Sequence, residues 1–238
     1  MSEVLRVGLE NNVEGRSLAW ALAYPGCFAY GANADEALAN LPAGVQDYVN
    51  LIGQEMLPAT LADLAIKVEE TWEVYAIDEQ YERAAGGYEV NAWFLYDWKP
   101  LSSAEVDFGL KILARTREVL LDSVSGSSQS QLSEKQAGER WNILGILRHV
   151  GGAEWWYLDR LGLAFKRAEL PGDPFERLAS VRARLVEVLP DLAGSTQVVG
   201  VEGEFWSPRK VLRRAAWHER DHTEHIRKLL RGGASGTG

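Results

Sequence analysis

The spacing of apolar residues changes period near residue 100, and that change divides what the chain can fold into. Before it, VLRVGLE (4–10) and RSLAWALA (16–23) alternate in the manner of half-buried strands. After it, Val106, Leu110, Leu113 and Leu120 fall on one face of a helix. A chain of 238 residues is long enough for two modules. The expected fold class is therefore α+β. A small sheet-bearing module is expected over residues 1–78, a connector over 79–100, a helical module over 101–231 and a disordered tail over 232–238.

In the first module, NNVEG links two strands as a hairpin, Pro25-Gly26 makes a turn, and CFAYG reads as a third strand. Asn33 is placed as an N-cap with Glu36 as its reciprocal partner. Leu38, Leu41, Val45, Tyr48 and Ile52 then mark one apolar helix face, and AIKVEETWEVY (65–75) reads as a fourth strand. The order is β-β-β-α-β. The run from Ala23 to Tyr48, with its Pro25-x-Cys27 turn, Gly31 before the helix, and Asp35-Glu36-Ala37 with Asn40, resembles the core of the HicB antitoxin family over roughly residues 3–77. That resemblance implies a small α/β sandwich similar to a double-stranded RNA-binding domain. It also implies a protein partner, such as a small basic toxin-like protein. No ribbon-helix-helix or helix-turn-helix segment follows, so an interaction or sensing role is expected in place of operator binding.

The connector carries Gly86-Gly87 as a flexible point, and its YEVNAWFLY reads as an edge strand or an extended strap. Ser102 and Glu105 form a capping box that starts the first long helix, which ends near Val124. SGSSQSQLSEKQAGER (125–140) reads as a polar loop. A second helix spans Trp141 to Leu163. Asp173, Pro174 and Glu176 open a third, and Ser207-Pro208 opens a fourth that ends before Gly232-Gly233. An antiparallel four-helix bundle is the expected packing.

All four histidines lie in this half. On the last helix Val211, Ala215, His218, His222, His225 and Leu229 form one inward stripe, so three imidazoles occupy core positions where an unsatisfied polar group costs free energy. His218 and His222, one turn apart, are placed to converge on one metal ion, and His149 on the second helix is the expected third ligand. His225 is expected to bond elsewhere. HERDH also matches the H-E-x-x-H metalloprotease signature, a weaker reading because the further downstream ligand is missing and Glu219 points away from His218 around the helix. Glu154, about 140° from His149, is not expected to be a ligand. Trp141, Trp155, Trp156, Trp206 and Trp217 are pocket-wall candidates, with core packing the plainer reading. Arg148 and Arg214 are candidates for an anionic substrate, with exposed salt bridges the plainer reading.

Trp141-Asn142-Ile143 with Ile146-Leu147, His149 and Ala153-Glu154 resembles the second-helix motif of the DinB/YfiT-like superfamily of metal-binding four-helix bundles. Trp206-Ser207-Pro208-Arg209-Lys210-Val211-Leu212 followed by His218-Glu219-x-x-His222 resembles its last-helix motif, the match covering roughly residues 100–231. The resemblance implies a divalent metal, zinc or nickel, on His149, His218 and His222, and a homodimer in some members. It also implies, for some members, a transferase or isomerase chemistry that uses a low-molecular-weight thiol on a small-molecule substrate; a hydrolase acting through metal-bound hydroxide follows from the same physical logic with water in place of thiol.

Charge is uneven. Residues 1–98 carry 4 Lys+Arg and 16 Asp+Glu, while the remainder carries 21 and 18. The acidic front half argues against nucleic acid as a partner, and the mixed charges of the last helix read as a solvated face. One cysteine, Cys27, permits no internal disulfide. With no signal-length or membrane-length apolar run, the expected location is the cytoplasm. Three readings stay open: a metal-dependent enzyme, a non-catalytic metal-binding interaction protein, and a metal-free stress-related bundle whose histidines are only core.

Overall fold

A computed structural model describes residues 4–57 and 61–234. The first module follows the expected order: β1 (Val4–Val13), β2 (Arg16–Ala21), β3 (Phe28–Gly31), α1 (Ala34–Ile52) and β4 (Ala65–Glu73). The sheet order is β3-β2-β1-β4. Its β1–β2 and β2–β3 pairs are antiparallel, whereas β4 returns parallel to β1 after the helical crossover. Asn33 caps α1 by accepting from the Glu36 amide. Alternation along β1 sends Leu5, Val7 and Leu9 to one face, where Leu41, Val45, Tyr48 and Ile52 of α1 cover them. Cys27 is buried in that core, which pushes its thiol up to about 12 and keeps it inert.

The opposite face of the sheet is also covered. Leu18 and Trp20 pack with Phe94 of the connector and Trp217 of the last helix. Gly8 is glycine for a local reason: a Cβ there would lie 2.7 Å from the Phe94 ring. The connector is thus a fixed strap. A small sheet leads into it, β5 (Tyr75–Ile77), β6 (Arg83–Ala84) and β7 (Tyr88–Val90), in the order β6-β5-β7, so the expected fourth strand ends at Glu73 and Tyr75 opens this second sheet. Beyond it, the Ala92 amide donates to buried Glu10 at 2.7 Å.

The second part contains α2 (Ser103–Val124), α3 (Gln129–Ser133), α4 (Ile143–Arg160), α5 (Pro174–Val188), the hairpin β8 (Val199–Val201)–β9 (Glu204–Trp206), and α6 (Pro208–Ala234). Ser102–Glu105 forms the expected capping box of α2, and Asp173 caps α5. Several boundaries differ from the sequence reading. The polar loop contains α3, because Ser128 and Gln131 cap it reciprocally and Leu132 reaches the core. The second helix starts two residues late, since Asn142 caps it by accepting from Gly145, and it stops before Gly162, which has φ 71°. The last helix runs through Gly232 and Gly233 to Ala234. Two glycines near the end of a long helix cost about 1 kcal/mol each, too little to stop propagation there. Of the expected tail, residues 235–238 lie outside the described residues.

Leu113, Leu158, Val181, Leu185 and Leu212 belong to one core shared by α2, α4, α5 and α6; each such buried side chain contributes roughly 1.5–3 kcal/mol. Helix directions differ from strict antiparallel alternation. Gly109 meets Leu212, and Thr116 bonds Glu219, so α2 and α6 run the same way. Gly151 meets Leu178, and Glu154 bonds Arg182, so α4 and α5 also run together. His149 faces His218, while Tyr157 stacks on Trp206, so α4 opposes α6. The cause is the segment between α4 and α5, which returns along α4: Arg148 donates to the Gly172 carbonyl and Arg177 to that of Pro171.

From Pro208 to Glu219, α6 is buried on every side. This overturns the expectation of a solvated charged face and sets a demand, because each buried charge needs a partner. Arg209 pairs with Glu105 at 2.6 Å and donates to the Lys99 and Pro100 carbonyls. Lys210 pairs with Glu204; burial still pulls its ammonium down to about 8. Arg213 holds Asp97 with bonds of 2.6 and 3.0 Å. These contacts fasten the strap, and through it the first module, to α6. No helix among the described residues is long and apolar enough to cross a membrane.

Candidate metal centre

The histidine stripe of α6 divides in two. Nε2 of His218 lies 3.1 Å from Nε2 of His149 on α4 and 3.1 Å from Nε2 of His222. The three ligand atoms all lie within 4.8 Å of one another, a group that could hold a metal ion. His225 turns aside, its Nε2 lying 2.9 Å from a Glu139 carboxylate oxygen. The His149 ring stacks on Trp141 with centroids 4.7 Å apart, which fixes its plane.

The donor set fits an ion better than it fits itself. An imidazole Nε2 carries either one hydrogen or one lone pair, so His218 can make one good hydrogen bond there, yet two other ring nitrogens crowd the same atom. Nitrogens about 2.05 Å from a common ion stand about 2.9 Å apart at a right angle and about 3.4 Å apart at the tetrahedral angle; the two contacts of 3.1 Å fall between, and the third pair, within 4.8 Å, has to close for all three nitrogens to reach one ion. Burial, then the neighbouring His222, His149 and Arg214, hold His218 well below its ordinary range. Burial, with His149 and His225, pulls His222 down to about 3. Burial and Arg140 lower His149. All three are therefore neutral at pH 7, the form in which imidazole offers a lone pair.

The cluster lies in a cleft of ≈ 1070 Å³. Trp141, Trp156 and Trp217 line it; Trp155 and Trp206 pack in the core instead. The first module supplies the facing wall, through Val13, Glu14 and Arg16 of the β1–β2 hairpin and Phe28 and Tyr30 of β3. Tyr30 accepts from the Trp217 indole at 3.2 Å. That two-module wall was not legible in the sequence, since it depends on how the sheet docks.

Behind the histidines lies a second polar group. Glu219 accepts from Thr116 at 2.5 Å and from Arg182 at 2.8 Å, and it also pairs with Arg117. Glu154 pairs with both arginines. Burial alone would raise the Glu219 carboxyl, but Arg182 and Arg117 outweigh it and hold it below the usual range. The glutamate of HERDH is thus consumed inside the core at 1% exposure, unable to serve as the general base of a metalloprotease. Glu154, as expected, is not among the converging groups. Arg148 is exposed on the Gly172 carbonyl, whereas Arg214 is buried and lines the cleft.

A family model of the DinB superfamily matches residues 112–226, from within α2 to within α6, so the C-terminal part of the chain is DinB-like. The match contains all three converging histidines and leaves the N-terminal sheet outside it. No curated protein and no solved structure matches the chain.

Proposed function

We propose that His149, His218 and His222 hold a divalent cation, zinc or nickel, and that the chain is a DinB-like, YfiT-like metal-dependent enzyme: a transferase that brings a low-molecular-weight thiol to a small-molecule substrate. The observation that carries this is the convergence of three neutral Nε2 atoms in a solvent-reached cleft. Such an ion, when bound, supplies stabilisation of thiolate, or of hydroxide in a hydrolase, at neutral pH. The protein's own part is to keep the imidazoles unprotonated by burial, to hold the His149 ring against Trp141, and to screen the cleft from bulk water with Trp156, Trp217 and Tyr30. In this reading α2, α4, α5 and α6 form the superfamily's four-helix bundle, and two bundles associate as a homodimer.

A second reading is favoured by one observation, the acidic balance of residues 1–98: a non-catalytic metal-binding interaction or stress-related protein whose HicB-like module recruits a basic protein partner. Both readings suit a cytoplasmic protein. Metal analysis of untagged protein is expected to give one equivalent of cation, lost in His222→Ala. A thiol-consumption screen against generic electrophiles, run on wild type and His222→Ala, separates the two. Turnover only in wild type supports the enzyme; bound metal with no turnover supports the interaction role. Absence of histidine-dependent metal defeats both and leaves a metal-free bundle.

A further inference from the structure

Among the described residues five arginines are buried: Arg117, Arg182, Arg209, Arg213 and Arg214. The first four each touch a carboxylate. Arg214 touches none. Its Nη1 reaches Asn91 Oδ1 at the outer limit of a hydrogen bond, 3.5 Å, its guanidinium lies 4.3 Å from the Trp217 ring centroid, and its one other side-chain bond is to the Tyr157 hydroxyl, a neutral group. Its Nε is buried with no partner at all. The nearest negative charges, Glu10 and Glu204, act only at a distance, because their oxygens are taken. Glu10 accepts from Ala92 at 2.7 Å and Trp20 at 2.8 Å; Glu204 accepts from Tyr88 at 2.5 Å and from Lys210. A buried guanidinium without an anion is costly. This one faces the cleft one helical turn before His218, about 6 Å along the axis.

We propose that the natural ligand of the cleft carries a carboxylate that pairs with Arg214 while its other end reaches the histidine centre. The guanidinium fork suits a planar carboxylate, which it can grip with two parallel bonds. The inference rests on the metal reading above for the second anchor, and on Arg214 alone for the first. Asn91, on the strap between the modules, steadies the guanidinium, so the connector also helps build the ligand site.

The test uses the full chain loaded with cobalt(II) and titrated with 3-mercaptopropionate, its amide 3-mercaptopropionamide, and 2-mercaptoethanesulfonate, following the thiolate-to-cobalt absorption band. The carboxylate is expected to bind about tenfold or more tighter than the amide. Arg214→Met should erase that ratio with amide binding unchanged, and Arg214→Lys should keep part of it. Equal binding of acid and amide to wild type, a ratio unaltered in Arg214→Met, or tighter binding of the sulfonate overturns the proposal. Should Arg214→Met fail to fold, the wild-type ratio and Arg214→Lys decide. Cobalt uptake that is indifferent to His222→Ala defeats the metal reading instead. In that event the melting temperature of metal-free protein carries the test: it must rise with 3-mercaptopropionate and not with the amide, and a rise with both or neither refutes the role of Arg214.

Discussion

Two buried polar clusters share α6 and differ in one respect. Toward α2 and α5, Glu219 belongs to a set of two arginines and two glutamates whose charges cancel and whose atoms bond one another. Toward α4 and the first module, His218 belongs to a set of three imidazoles that crowd a single point, with His222 Nδ1 left without a partner. Adjacent residues, His218 and Glu219, thus sit in opposite situations. A closed network has spent its bonding capacity on holding the helices in register. An open one keeps lone pairs for something else, at a cost in stability. The contrast distinguishes scaffold from site without reference to any motif, and it reverses the motif reading of HERDH, in which the glutamate would act beside the histidines.

The largest effect is expected on the closed side. Arg182→Met strands two carboxylates on Arg117 alone, and breaking a buried set in this way costs about 3–5 kcal/mol; urea unfolding of the metal-free protein measures it. Adding Glu154→Leu should recover part of that loss, since a matched apolar replacement removes the orphaned charge. On the open side the pattern inverts. His222→Ala should weaken cation binding by at least about 100-fold, about 2.7 kcal/mol, while metal-free stability shifts by no more than about 1 kcal/mol. Calorimetric titration with zinc and urea melts of the same variant read both halves. A large metal-free destabilisation with metal affinity intact would break the comparison.

Legibility in the sequence followed the range of the interactions. The β-β-β-α-β order was readable because alternation and the Asn33 cap are local, and the pairing of His218 with His222 was readable because imidazoles one helical turn apart at core phases need a partner; His149 joined them through the paired helix motifs. The closed network was invisible: Glu219 meets Arg117 at a separation of 102 residues, and the same charges on a helix in isolation read as a solvated face. The β8–β9 hairpin was missed as well. Its turn rests on Glu202 and Gly203 at positive φ, a two-residue signal between longer helical patterns. The cleft wall built from β1, β2 and β3 arises only when the sheet docks on α6 through Trp20, Phe94 and Trp217.

Acid titration sharpens the comparison at smaller amplitude. With His222 at about 3 and His218 well below its ordinary value when folded, against about 6.5 when unfolded, the unfolded chain binds the extra protons. The contribution of these two histidines to the stability of the metal-free protein is therefore full above about pH 6.5 and falls as pH drops toward 3. The diagnostic window is about pH 6.5 to 5, above the range where ordinary carboxylates titrate. There, His218→Ala with His222→Ala should flatten the slope relative to wild type. An equal slope in the two proteins would remove the histidines from the account.

The smallest effect tests where the open cluster ends. His225 shares the helix face of His218 and His222, and stripe geometry alone would make it a fourth participant. Its Nε2 instead meets Glu139 at 2.9 Å, in a pair that is part-exposed at both ends, so its bonding capacity is spent as Glu219's is. His225→Ala should change zinc affinity by no more than about threefold, under about 0.7 kcal/mol, and stability by under about 1 kcal/mol, as exposed pairs do. A loss comparable to that of His222→Ala would mean that the imidazole leaves Glu139 when the cation arrives. The division between spent and unspent groups on α6 would then have to be drawn one turn later.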